Sequence, residues 1–339
     1  MFQETFKQFV TKDPFTEIYG QEQAKKQILS ALIMNRHVIL VGPPGIGKTT
    51  FAKNVAKLLP SITLNSCGFH CNPEKPFCPE CKTKKPETKK FTGEQRFIRI
   101  QGSPDLTVED LLGDIDPVKA LKYGPLALES FTPGKIFKAN NGVLFFDELN
   151  RCPEKLQNAL LQVLEEGKAS IGSYDIDLEA NFITISTMNP EDFSGTEKLS
   201  EVLLDRFDLI FIGYPDTVDI EKDIVLTKGA TLKEVTFPEK LLKITLTFIQ
   251  NLRNNENLER APSVRASLGL YERAQSNALL ANRKNVDMKD ILEAFNSVIA
   301  HRIRLKPSVK YLMDTKEFLK KEFQKFQEDF TGQREGELP

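Results

Sequence analysis

The segment Gly42-Pro43-Pro44-Gly45-Ile46-Gly47-Lys48-Thr49-Thr50 constrains this chain more than any other. It fits the pattern G-x-x-x-x-G-K-[ST], and it stands where that pattern has physical meaning, after an apolar run at 38–41 and before the helical spacing TFAKNVAKLL. Glycines let successive backbone N–H groups turn toward phosphate oxygens at the positive end of the next helix. In such a loop Lys48 reaches the β- and γ-phosphates and Thr49 ligates Mg2+. The chain is expected to bind ATP or GTP on an α/β fold with a parallel sheet.

Two further apolar runs support that sheet. Residues 142–146 stop at Asp147-Glu148, and residues 182–186 stop at Thr187-Met188-Asn189-Pro190. Ligands gather at the C-terminal ends of buried parallel strands. Asp147 is therefore expected to hold Mg2+ through its water shell, and Glu148 to polarise the attacking water. Asn189 is placed to hold that water or the γ-phosphate by an amide hydrogen bond. Arg96-Phe-Ile-Arg-Ile100 reads as a further strand, and 209–212 as the last one, with Gly213-Tyr-Pro-Asp216 as the exit turn. Residues 156–166 have helical spacing, and 169–178, centred on Gly172-Ser173, read as a hairpin. Two readings stand for Arg206: a finger that meets γ-phosphate charge in a neighbouring subunit, or an ion pair with Asp205 or Asp208.

Beyond residue 216 the spacing turns helical, over 239–252, 263–280 and 288–303. A small all-α domain over 216–306 follows from this, leaving 1–215 as the nucleotide-binding core. Residues 307–339 form a separate tail whose stripe Leu319, Phe323, Phe326 and Phe330 either packs on its own protein or meets a partner. The 339-residue chain has 46 Lys+Arg against 47 Asp+Glu, which excludes a chain-wide polycationic surface for nucleic acid or membrane. No run approaches the roughly 18 apolar residues of a membrane span, and the N-terminus lacks a secretion signal, so the protein is expected in the cytoplasm.

Four of the five cysteines, Cys67, Cys71, Cys78 and Cys81, fall in one insert, over 65–90. In a reducing compartment such clustering points to metal before disulfides. Four thiolates suit structural Zn2+; an iron–sulfur cluster and unmetallated thiols are the alternatives, and His70 is a substitute for one ligand. Cys152 stands alone and reads as a packing residue. Lys82, Lys84, Lys85, Lys89 and Lys90 give the insert a basic flank opposed only by Glu87, either a solvated loop or a nucleic-acid contact.

Tyr19-Gly20-Gln21-Glu22, GPPGIGKT, FFDELNR, TMNP, LLDRFD with GYPD, and Pro262-Ser-Val-Arg-Ala266 follow one another in the order of a known family. Over about residues 16–306 the chain resembles the AAA+ ATPases of the MoxR and magnesium-chelatase branch. The resemblance implies an αβα P-loop core with a helical lid, adenine as the base, and Tyr19, Gly20 and Gln21 beside it. It also implies Lys48, Thr49 and Thr50 in Walker A, Asp147 and Glu148 in Walker B, Asn189 as sensor 1, Arg206 as the finger and Arg265 as sensor 2. Residues 114–134 correspond to the insert in helix 2, and 169–178 to the hairpin before sensor 1. A ring, taken as a hexamer, hydrolysing Mg-ATP to remodel a client or insert a metal with a von Willebrand factor A-domain partner is the implied function. A nucleic-acid motor of the MCM type is the alternative.

Overall fold

The computed structural model describes residues 2–84, 86–125, 127–170, 177–189 and 199–335. Lys85, the hairpin centre Gly172-Ser173, Pro190 and the final four residues lie outside these. The chain divides into two compact units, Met1–Pro43 with Gly47–Ile212, and Pro44–Ile46 with Gly213–Pro339.

The first unit is built on five parallel strands: β1 (His37–Val41), β2 (Phe97–Gln101), β3 (Val143–Asp147), β4 (Ile183–Met188) and β5 (Phe207–Phe211). Their spatial order is β5-β1-β4-β3-β2. The apolar runs become strands because both faces of the sheet are covered, and β4 is buried at every residue. Helices α1 (Glu22–Ile33), α2 (Lys48–Leu58) and α3 (Glu154–Glu166) belong to the same unit. β2 starts one residue later than the sequence suggests, because Arg96 belongs to a 3-10 turn and is wholly buried. Its guanidinium donates to the carbonyls of Asn141, Pro60 and Thr92. Gly142 passes so close that a Cβ there would lie 2.1 Å from the Arg96 carbonyl oxygen. That is why β3 begins at Val143.

Two ribbons interrupt the core. Ile62–Asn65 pairs antiparallel with Thr88–Phe91 and brackets the cysteine insert. Gly113–Ile115 pairs with Phe131–Pro133, and the short helix Pro117–Tyr123 between them buries none of its residues. The hairpin expected at 169–178 has arms Lys168–Ser170 and Asp177–Glu179.

The second unit holds helices α4 (Val218–Lys228), α5 (Glu239–Arg253), α6 (Val264–Leu280), α7 (Met288–Val298) and α8 (Thr315–Glu335). α7 stops five residues short of its apolar spacing, because Ala300–Arg302 tightens into a 3-10 turn and Arg304–Leu305 pairs with Leu258–Arg260. The tail is part of this unit's core. Phe318, Leu319, Phe323 and Phe326 are buried with Phe248 and Phe295, whose rings stack at 5.4 Å, and Phe323 meets both edge-on at 5.1 Å. The side chain of Phe330 lies outside the described residues. One buried ion pair runs through the unit: Arg253 holds Glu221 with two bonds of 2.6 Å, and Ser267 donates to the same carboxylate at 2.5 Å. Paired this way, the buried charges escape the cost of isolation.

Candidate nucleotide and metal sites

β1 delivers the glycine loop. The Gly42 N–H is anchored to the Met188 carbonyl at 3.2 Å, and Gly45 and Gly47 take φ of 78° and 98°, which side chains bearing a Cβ rarely adopt. Gly47 caps α2, so Lys48, Thr49 and Thr50 occupy its first turn. The Lys48 ammonium donates to the carbonyls of Gly42 and Pro43, the latter at 2.9 Å. It thus lies along its own loop. Within the second unit, a Cβ on Gly45 would come 2.8 Å from Ser263 Oγ and 3.0 Å from Arg265 Cδ.

Asp147 closes β3, and Glu148 follows with φ 56° and ψ 53°, a left-handed conformation that side chains seldom adopt without compensation. The cause is local. Gly102 presses on Glu148, where a Cβ would lie 2.0 Å from the Glu148 carbonyl oxygen, and the Gly102 N–H donates to the Asp147 carbonyl at 2.6 Å. Thr187 on β4 joins the two acids: its hydroxyl donates to Asp147 Oδ1 at 2.6 Å and accepts from the Glu148 N–H at 2.8 Å. Arg99 on β2 pairs with Asp147 Oδ2 at 2.6 Å. The Glu148 carboxylate accepts from Gln101 at 3.1 Å and from Arg151 at 2.9 Å. None of Arg99, Gln101, Arg151 and Thr187 was singled out from sequence. For three of them the available signal was position at or near the C-terminal end of a strand.

Asn189 sits one residue past β4, half-buried. Arg206 pairs with Glu165 at 2.8 Å and Asp205 at 3.2 Å, while Asp208 is held by Arg36 at 2.7 Å. Of the two pairings weighed for Arg206, the one with Asp205 is present. Gly20 and Gln21 both take left-handed φ at the start of α1, next to Tyr19.

The sulfurs of Cys67, Cys71, Cys78 and Cys81 lie within 4.8 Å of one another, and all four residues are buried. Backbone N–H groups of Cys71 and Cys81 approach the sulfurs of Cys67 and Cys78 at 3.4 and 3.5 Å. Hydrogen bonds from Cys71 and Cys78 hold the Cys67 thiol far below its ordinary range. Sharing a hydrogen bond with Cys67 pushes Cys78 up to about 12, and burial pushes Cys81 up to about 12. Among the described residues His70 is not part of the four-sulfur cluster. Its ring lies 4.9 Å from that of Phe91, with φ 48° at its backbone. Cys152 is fully buried outside the cluster, and burial raises its thiol to about 11.

Comparison with known proteins fits this layout. A model of the ATPase family associated with various cellular activities matches residues 80–209, one of magnesium chelatase subunit ChlI matches 14–68, and one of the AAA lid domain matches 250–321. The magnesium-chelatase subunit ChlI homolog of Methanocaldococcus jannaschii is 27% identical over 87% of this chain and 86% of its own length. Chaperone MoxR1 of Mycobacterium tuberculosis is 26% identical over 85% of this chain and 73% of its own length. Between them these matches run along most of the chain, which is similar to the AAA+ ATPases of the MoxR and magnesium-chelatase branch. The AAA+ fold has a solved counterpart in the complex of magnesium-chelatase subunits BchI and BchD, with TM-score 0.52 and 21% identity over 88% of this chain and 98% of that one. Among the described residues no helix is long and apolar enough to cross a membrane.

Proposed function

We propose that this chain hydrolyses Mg-ATP as the motor of a ring, taken as a hexamer. One observation carries the reading: the two acids that end β3 are tied together by Thr187 on β4, the strand lying directly between β3 and the loop-bearing β1. Glu148 would take a proton from water as its oxygen attacks the γ-phosphorus, and the β–γ bridging oxygen would leave with ADP. Lys48, swinging from its own loop carbonyls, would meet the charge on the leaving phosphate. A hydroxyl and a carboxylate suit a hard divalent cation, so Thr49 and Asp147 would hold Mg2+, which would supply charge neutralisation for the phosphates. Tyr19, Gly20 and Gln21 would line the adenine pocket, Asn189 would orient the water, and Arg206 and Arg265 would act as finger and sensor 2.

The donor set of the insert, four buried sulfurs within 4.8 Å of one another, fits structural Zn2+, which takes four thiolates in a tetrahedron. Bound there, the ion would supply a covalent-like cross-link within the loop.

Glu148→Gln tests the hydrolytic reading. ATP binding is expected to persist while turnover falls about 100-fold or more; unchanged turnover would overturn the role of Glu148. Trapping that variant with ATP in its native extract identifies the load. A von Willebrand factor A-domain protein together with a client is the expected capture, whereas nucleic acid, held through exposed Lys82, Lys84, Lys89 and Lys90, would favour the MCM-like reading.

A further inference from the structure

The ribbon of Gly113–Ile115 and Phe131–Pro133 meets the core through a few side chains, Ile115 and Phe131 with Leu128 beside them. Each strand is three residues long, below what an isolated pair needs for stability. The helix at its tip buries none of its residues, with Val118 76% and Leu121 91% exposed. Yet Phe131, on the return strand, is 3% exposed. It is covered by Phe69 at 6.3 Å between ring centroids and by Phe137 at 6.1 Å, and these two lie 5.3 Å apart. Gly68 lies against the same strand, where a Cβ would come 2.8 Å from Pro133 Cγ.

Gly68 and Phe69 are part of the three-residue spacer between Cys67 and Cys71. Two cysteines of the cluster thus bracket them, and the carbonyls of Phe69 and His70 accept from Asn140 and Asn141. The loop that carries them has one helix of five residues, Pro79–Thr83, and little other regular structure to fix it. The same loop reaches the second hairpin. Lys75 pairs with Glu179 at 2.9 Å, and Asn140 Nδ2 donates to the carbonyls of Phe69 and Glu179, each at 3.4 Å.

We propose that the cysteine knuckle, closed on its ion, is the abutment that holds the Gly113–Pro133 projection in place through Phe69 and Gly68. This rests on the zinc reading given above. Phe69 and Gly68 are then positioning residues, and the metal acts on the projection at a distance, through packing. Opening the four-sulfur cluster would release the spacer, and Phe131 would keep Phe137 but lose the cover of Phe69.

Hydrogen–deuterium exchange on the full chain, with metal content measured on the same samples, tests this. Chelation, or the Cys78→Ser and Cys81→Ser pair, is expected to remove the ion and speed exchange across 113–133 about tenfold, leaving strand Ile183–Met188 unchanged. Phe69→Ala is expected to keep the ion and speed exchange in the same segment. Metal loss with unchanged exchange at 113–133, or equal loosening of Ile183–Met188, would overturn the abutment and leave the zinc reading standing. So would a Phe69→Ala protein that retains both metal and slow exchange. A chain that holds no metal as purified and takes up no added Zn2+ would overturn the zinc reading, and the abutment with it.

Discussion

At the scale of single residues, His37 shows how burial becomes pH dependence. It begins the strand that delivers the glycine loop, and its Nδ1 accepts from the Thr184 N–H at 3.0 Å. Burial, aided by the charge of Arg36, pushes its pKa down from 6.5 to about 4. The unfolded chain therefore binds this proton more tightly than the folded one. The contribution of neutral His37 is complete above about pH 6.5 and is lost as pH falls toward 4, amounting to no more than about 3 kcal/mol. His37→Asn keeps an acceptor for Thr184 without the titration. Urea midpoints at pH 7 and pH 4.5 are expected to separate for the wild type and to converge for the variant; an equal fall in both would show that other groups carry the acid sensitivity. Residues such as Thr187 show the limit of reading at this scale. A threonine in an apolar strand is ordinary, and only the neighbouring strand shows that its hydroxyl joins two acids.

Among the elements, α8 belongs to the lid in a way its own composition conceals. Its surface is mostly charged, so the sequence suggests a tail, yet Phe323 is 5% exposed and touches Phe248, Phe295 and Phe326. Truncating it to Ala is expected to cost about 3–5 kcal/mol of lid stability, seen as a shifted denaturation midpoint, because a large aromatic leaves a cavity that its neighbours fill only in part. A cost below about 1 kcal/mol would mean that α8 is peripheral. The strands of the sheet were legible because each is a short apolar run ending at chemistry. Their boundaries were less so: β2 and β3 were displaced by the burial of Arg96, which pairs with no carboxylate among the described residues and is satisfied by carbonyls that no local pattern announces. Burial lowers its pKa to about 10, still leaving it charged at neutral pH.

For the whole molecule, the proposed ring makes a prediction that no single chain can satisfy. If each active site takes Glu148 from one subunit and Arg206 from the next, Glu148→Gln and Arg206→Ala subunits are each inactive alone. Mixed, they should regain turnover, because about a quarter of boundaries in a random ring then carry both intact residues. No recovery on mixing, with assembly verified, would place the finger elsewhere. In this chain Arg206 pairs with Asp205 and Glu165, contacts it would have to give up to reach a neighbour's nucleotide. Sequence order was enough to read the nucleotide-binding fold, since the motifs lie at strand ends. It was not enough to read which loops lean on which, because Phe69 and Phe131 are sixty residues apart and meet only once the sheet has closed.

The four sulfurs, by contrast, span fifteen consecutive residues, whereas the sheet needs strands drawn from residues 37 to 211. During synthesis the knuckle can therefore close while β3, β4 and β5 are still unmade, at the cost of only a short loop. The Phe69 side of the surface that later receives Phe131 would then already exist when that residue leaves the ribosome. Zinc supply during translation, more than its abundance afterwards, would decide how many chains fold with their projection in place.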